Sequence, residues 1–256
     1  MHGIAFQFGP LTIYWYGILA ATGFLLGFWT AARRGPRDGL SGDSVTGVAP
    51  WLIIGALIGA RGYYVFTHWQ QEFAGLPFTE IFKFRSGLVF YGGLIGASVG
   101  TILYTRKHKI PIWKFGDALA PSIALGHAFG RIGCLMTGCC YGRACSLPWA
   151  IHFPKDHATG GAGVHPTQIY ESALNLLLWA SLEWFHRRKK FDGQVFGVYL
   201  IVYAILRAVV ESFRGDYSSR VLGGVTTGQV VSGAIFLGGL SLLLIQSRRV
   251  PRATAR

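Results

Sequence analysis

The stretch Val198-Tyr-Leu-Ile-Val-Tyr-Ala-Ile-Leu-Arg207-Ala-Val-Val-Glu211-Ser-Phe213 is apolar enough to cross a membrane, yet it carries an arginine and, one turn later, a glutamate. A second apolar run, residues 118–130, ends on Arg131. An arginine near the middle of the hydrocarbon layer costs about 2.5–3.5 kcal/mol on insertion scales, so it is kept where something anionic needs it. The most abundant anion in a membrane is lipid phosphate. Tyr203, Arg207 and Glu211 are spaced i, i+4, i+8 and therefore share one helix face. Either Arg207 and Glu211 only neutralise each other, or Glu211 orients a guanidinium whose planar fork holds a phosphate.

Composition widens this reading to the whole chain. The 256 residues are 51% hydrophobic and only 14% charged, which a soluble domain rarely is. Mean hydropathy is +0.39. The net charge of +13 suggests nucleic acid at first sight. The basic residues instead flank apolar segments, the pattern of a membrane protein, and no nucleic-acid partner is expected. The expected fold is a single all-α polytopic domain over residues 1–256. Seven spans are predicted near residues 11–32, 45–66, 88–104, 118–135, 167–185, 196–213 and 226–245. The first span lacks a basic leader and reads as retained, not cleaved.

The connecting segments alternate in charge. Runs within 33–37, 106–114, 187–190 and 248–256 hold most of the 24 basic residues. The asymmetry places the N-terminus outside and the C-terminus in the cytoplasm. Residues 67–87 read as an arm lying in the membrane interface, and 136–165 as a small extracytoplasmic cap. Lys83, Phe84 and Arg85 belong to that arm. No internal repeat is visible, so a transporter of inverted repeats gains no support.

Other residues admit a functional and a structural reading. Glycines on both sides of Arg131, in Gly130-Arg-Ile-Gly133, suggest a broken or tightly turned backbone that helps hold an anion. Arg131 could equally snorkel to the headgroups. In His165-Pro-Thr-Gln-Ile-Tyr-Glu171, Pro166 suits a helix start and Glu171 then lies one turn into the membrane, in need of a partner. It either fastens the cap or takes part in chemistry. Gly92, Gly96 and Gly100 recur every fourth position, which lets helices approach closely. Tyr16 and Tyr91 could be interfacial belt residues. His127 reads as a hydrogen-bonded core residue or a base. Cys134, Cys139, Cys140 and Cys145 fall in a C-x4-C-C-x4-C spacing that matches no common zinc pattern. One or two disulfides are the leading expectation, ahead of buried thiols and of a metal or redox site, so no metal or cofactor is expected.

Together these residues resemble the prolipoprotein diacylglyceryl transferases. The resemblance rests on Tyr14-Trp-Tyr-Gly17, Gly87-Leu-Val-Phe-Tyr-Gly-Gly93, Gly130-Arg-Ile-Gly133 running on to Gly142-Arg143, the His165–Glu171 motif, and Arg207-x-x-x-Glu211-x-Phe-Arg214. It implies a multi-pass enzyme of the bacterial inner membrane with its site facing the periplasm. Such enzymes move the diacylglyceryl group of phosphatidylglycerol to the lipobox cysteine in a prolipoprotein signal peptide, forming a thioether and releasing glycerol phosphate. By motif match, Arg131 and Arg207 fall on essential arginines. Arg131, Arg207, Glu211 and Tyr91 are the catalytic candidates. Tyr16, Arg143, Tyr203, Gly92 and Gly93 are the substrate-binding ones. One bundle could house this site, so a monomer is expected. Better-known members carry histidine at position 91, asparagine at 134 and glutamate at 139. The phosphate-holding half therefore carries over and the proton-handling half does not. Two rivals remain open: a lipid-binding or lipid-moving relative without transfer, and a membrane thiol-redox protein.

Overall fold

The structure, a computed structural model, describes residues 3–9, 11–82, 87–216, 220–221 and 224–249, with the backbone alone at 78, 82, 220 and 221. Lys83, Phe84 and Arg85 of the arm, and Arg252 and Arg256 of the last basic run, lie outside the described residues. The chain is mostly helical, as expected. Among the described residues, seven helices have 18 to 26 residues: α1 (Trp15–Arg34), α3 (Ala49–Thr67), α4 (Phe90–Lys107), α5 (Ile112–Thr137), α6 (Thr167–His186), α7 (Gln194–Glu211) and α8 (Thr227–Arg249). A five-residue helix, α2 (Gly42–Thr46), precedes α3. By length and composition, Trp15–Asp38, Gly42–Thr67, Ile112–Thr137, Gln194–Glu211 and Thr227–Arg249 suffice to cross a membrane. Helices α4 and α6 have the length but a less apolar composition: α4 ends on Arg106 and Lys107, and α6 spends positions on Gln168, Glu171, Ser172 and Asn175, all four of them buried.

The first span begins later than its sequence predicts. Leu11–Tyr14 is not helical but a strand, β2, paired antiparallel with β1 (Ile4–Phe8). The alternating apolar residues Ile4, Phe6, Phe8 and Leu11 stay exposed on this hairpin. Helix α1 starts at Trp15, where Trp15 N–H bonds the Gly3 carbonyl.

Helix α5 is the hub, packed on α1 along one side and on α6 along another, while α7 packs on α8. Helices α3 and α4 form a separate hairpin joined by bare backbone contact. A methyl at Gly96 would run into the Gly55 carbonyl, and one at Gly59 into the Gly92 carbonyl. That hairpin touches α5 only sparsely. The arm beyond α3 is tied back by Arg61, whose guanidinium donates to the Ile81 carbonyl at 2.8 Å. Leu76 and Trp69 on it remain exposed.

At the bundle end where α1 finishes, two basic residues prove to be more than topology signals. Arg34 is buried, paired with Glu183 at 2.5 Å and bonded to the Ala118 carbonyl. Lys189 bridges Asp38 at 2.6 Å and Asp117 at 2.9 Å, both almost fully buried. Asp117 also accepts from the Gly193 and Phe196 amides, capping the start of α7. Burial works against the Lys189 charge, but the two carboxylates outweigh it and hold the ammonium above its ordinary range. We expect Lys189→Met to lower stability by about 3–5 kcal/mol, because it leaves two buried carboxylates without their cation. Thermal unfolding in detergent measures this. A group with a raised folded pKa stabilises fully below its unfolded value, near 10.4, so the contribution should be complete at neutral pH. It should disappear only as pH rises through the higher folded value.

Candidate active site

Both unusual arginines end on the same carboxylate. Arg131 Nη2 lies 3.0 Å from Glu171 Oε1, and Arg207 Nη1 lies 3.9 Å from Glu171 Oε2. His127 Nε2 is 3.2 Å from Glu171 Oε1 and accepts a hydrogen bond from Arg131 Nε at 3.0 Å. Three helices supply this cluster: α5 gives His127 and Arg131 one turn apart, α6 gives Glu171, and α7 gives Arg207. Each arginine side chain is 14% exposed.

Glu211 holds Arg207 from the other side, its Oε2 2.5 Å from Nη2. The Glu211 carboxylate is fixed in turn by a hydrogen bond from Thr226 Oγ1 at 3.2 Å. A side chain at Gly228 would collide with it. Arg214 Nη1 approaches it at 3.7 Å and is itself clamped by Asp216 through two hydrogen bonds of 2.9 and 2.8 Å. Burial opposes the Arg214 charge; Asp216 outweighs this and raises its pKa. Arg207 thus has one edge anchored. Its Nη1, buried, makes no hydrogen bond among the described residues.

Both arginines lie nearer the ends of their helices than the middle. Arg131 is six residues from the end of α5 and Arg207 four from the end of α7. At 1.5 Å per residue these are depths of about 9 and 6 Å below the helix ends. The backbone at Arg131 is also not broken, as its flanking glycines had suggested: α5 runs unbroken through it to Thr137. Gly133 serves close approach instead, since a Cβ there would come 2.9 Å from the Tyr16 ring. The turn comes later, at left-handed Gly138 with φ 78°.

The remaining candidates divide. The Tyr203 ring stands 5.3 Å from that of His127, within the cluster. Tyr16, on the first turn of α1, and Tyr91, on the first turn of α4, flank it and are 47% and 40% exposed. Arg143 lies in the cap, where its Nε donates to the Arg214 carbonyl at 3.3 Å and its amide to the Phe213 carbonyl. Gly92 faces Gly59 and Tyr63 of α3, and Gly93 is within ordinary contact of Ala56 and Ala60. The cap itself is stitched by a two-stranded pair, β3 (Ile151–His152) and β4 (Gly163–Val164), and a second short pair, β5 (Arg220–Val221) and β6 (Val225–Thr226), precedes α8. The expected disulfides do not form: all four cysteines are free. Cys145 is drawn away by its backbone pairing with Gly163.

Glu171 and His127, each read from the sequence as either structural or chemical, were left out of the catalytic and substrate-binding sets. The signs of Glu171 in the sequence are its depth, which demands a partner, and its place at the end of the His165–Glu171 motif.

A helical membrane protein with a buried, carboxylate-linked arginine pair opening near one face is the class that fold and site define. Residues 3–245 match the model of the prolipoprotein diacylglyceryl transferase family. The phosphatidylglycerol--prolipoprotein diacylglyceryl transferase of Finegoldia magna is 35% identical over 98% of both chains. Those of Synechococcus elongatus and Bordetella avium are 36% and 33% identical, over 93% and 97% of this chain and 86% and 96% of their own. The chain belongs to the prolipoprotein diacylglyceryl transferase family.

Proposed function

We propose that this chain transfers the diacylglyceryl group of phosphatidylglycerol to the lipobox cysteine thiol of a prolipoprotein, with Arg131 and Arg207 gripping the lipid phosphate. The carrying observation is the convergence of the two guanidiniums on Glu171, with an unbonded N–H left on Arg207. Seven spans, an outside N-terminus and a cytoplasmic C-terminus put Tyr16, Tyr91, Arg131, Glu171 and Arg207 at the periplasmic side of the inner membrane. Tyr16, Tyr91 and Glu171 lie within two turns of the N-terminal ends of their helices, and Arg131 and Arg207 within two turns of the C-terminal ends of theirs, which alternating spans bring to one side.

Phosphatidylglycerol reaches the pair sideways from the bilayer, through the thinly packed face between the α3–α4 hairpin and the α5–α7 body. Glu211 and Thr226 keep Arg207 aimed, and Glu171 holds the two cations at one point against their mutual repulsion. The prolipoprotein thiolate attacks the glyceryl carbon, forming C–S as the C–O bond to phosphate breaks. Charge grows on the departing glycerol phosphate, where pre-aligned cations lower the barrier most. Arg143 steadies the cap that borders the site, and Gly92 and Gly93 let α4 carry Tyr91 to its edge. One chain holds every one of these groups and acts as a monomer.

Incubation with phosphatidylglycerol and a lipobox peptide, followed by mass spectrometry, tests this directly: a peptide gaining the diacylglyceryl mass is expected, and its absence defeats the reading. In this reading Tyr91, half-exposed on the first turn of α4, serves the substrate as a hydrogen-bond donor. Tyr91→Phe should therefore lower the rate only several-fold, the worth of one neutral hydrogen bond of about 1 kcal/mol. An unchanged rate removes Tyr91 from the mechanism.

A further inference from the structure

Three thiols beside the arginine pair have no role in holding phosphate. The sulfur atoms of Cys134, Cys139 and Cys140 all lie within 4.8 Å of one another. Cys134 is in the last turn of α5. Gly138 at φ 78° and Cys140 at φ 62° are both left-handed and turn the chain back over the helix end. A left-handed conformation is uncommon for a residue with a side chain.

The turn is braced from outside. Thr167 Oγ1 donates to the Cys140 carbonyl and Gln168 Nε2 to the Cys139 carbonyl, each at 2.7 Å, and both donor residues are fully buried. His157 Nδ1 accepts from the Thr159 amide, so its Nε2 donates to the Gly138 carbonyl at 2.8 Å. Such outer support is how proteins pre-orient metal ligands. Sulfur ligands 2.3 Å from a tetrahedral zinc stand about 3.8 Å apart, so the three are close to binding separation already.

We propose that Cys134, Cys139 and Cys140 bind one zinc-class cation and leave its fourth position for the thiol of the incoming prolipoprotein. The second half rests on the transferase reading. Folded geometry carries the site; the spacing in sequence, which matched no common zinc pattern, does not. Cys139 is exposed and its two partners half-buried, so the open side is reachable. Arg131 lies one turn deeper on the same helix and balances the net single negative charge of three thiolates on a divalent ion. A free thiol is only a few per cent ionised at neutral pH, whereas a coordinated one is deprotonated outright. The substrate S–H proton leaves to water as the sulfur binds. The bound sulfur then forms the C–S bond, the C–O bond to phosphate breaks, and glycerol phosphate departs with the electron pair. The neutral thioether product is a weak ligand for the ion and dissociates.

The full chain in detergent, loaded with cobalt(II) in place of zinc, gives a readout independent of activity. One metal per chain and an intense thiolate-to-cobalt absorption band are expected. Cys134→Ser, Cys139→Ser and Cys140→Ser should each weaken binding at least tenfold, and Cys145→Ser should not. Circular dichroism verifies that each variant is folded. A lipobox peptide should strengthen the band by about a third, as a fourth sulfur joins three, while the same peptide with serine leaves it unchanged. With phosphatidylglycerol present, chelation should slow transfer at least tenfold at pH 7 and less at pH 9, where the free thiol ionises unaided. No stoichiometric metal, binding indifferent to the three cysteines, or a band blind to the cysteine peptide overturns the proposal. A normal metal and peptide response without any lipid adduct defeats the transferase reading alone.

Discussion

Arg207→Lys should reduce transfer by about 10²- to 10³-fold although the positive charge is kept, comparable to removing one charge-stabilising donor from an enzyme site. The guanidinium has two edges, and the fold uses them differently. Nη2 is anchored to Glu211 at 2.5 Å, and Nη1 is left for the ligand. A lysine ammonium is a single point on a flexible stem and cannot present two rigid edges. It will settle on buried Glu211 and leave the phosphate unattended. The loss should appear in the rate of adduct formation at saturating lipid as well as in KM. Near-normal turnover of a folded Arg207→Lys chain would count heavily against two-edged holding.

Glu171→Gln should separate binding from chemistry. Glu171 touches both arginines and His127, so its charge keeps the cations at one point while also competing with phosphate for them. Removing that charge at constant shape should leave KM for phosphatidylglycerol unchanged or lower. It should also let the two guanidiniums part, and a misplacement of about 1 Å costs about 10²-fold in rate. We therefore expect kcat to fall about 100-fold without a rise in KM. A raised KM at constant kcat would instead make Glu171 part of lipid binding alone.

The arginines were legible because charge inside an apolar run is costly whatever the fold. Their meeting point was not, because Glu171 is 40 positions from Arg131 and only the α5–α6 contact joins them. Gly133 was misread for a related reason: glycine serves both sharp turns and close approach, and only the Tyr16 ring decides between them. The cysteines read as disulfides because spacing reports chain proximity, not where sulfur points. Leu11–Tyr14 looked like the start of a span because apolar strands and helices share composition. The alternation of Ile4, Phe6 and Phe8 ahead of Gly9, which is left-handed, marks the hairpin instead.

The clasp between Arg34 and Glu183 joins residues 149 positions apart. At about 5–20 residues per second, a ribosome needs about 7–30 s to deliver the second after the first. Through that interval the guanidinium lacks the carboxylate that pairs with it in the fold, and Asp38, four positions on, is the acidic group at hand. The earliest long helix of this protein therefore gains its final partner late, once α6, the fifth long helix in sequence, has been made, and this end of the bundle closes only then.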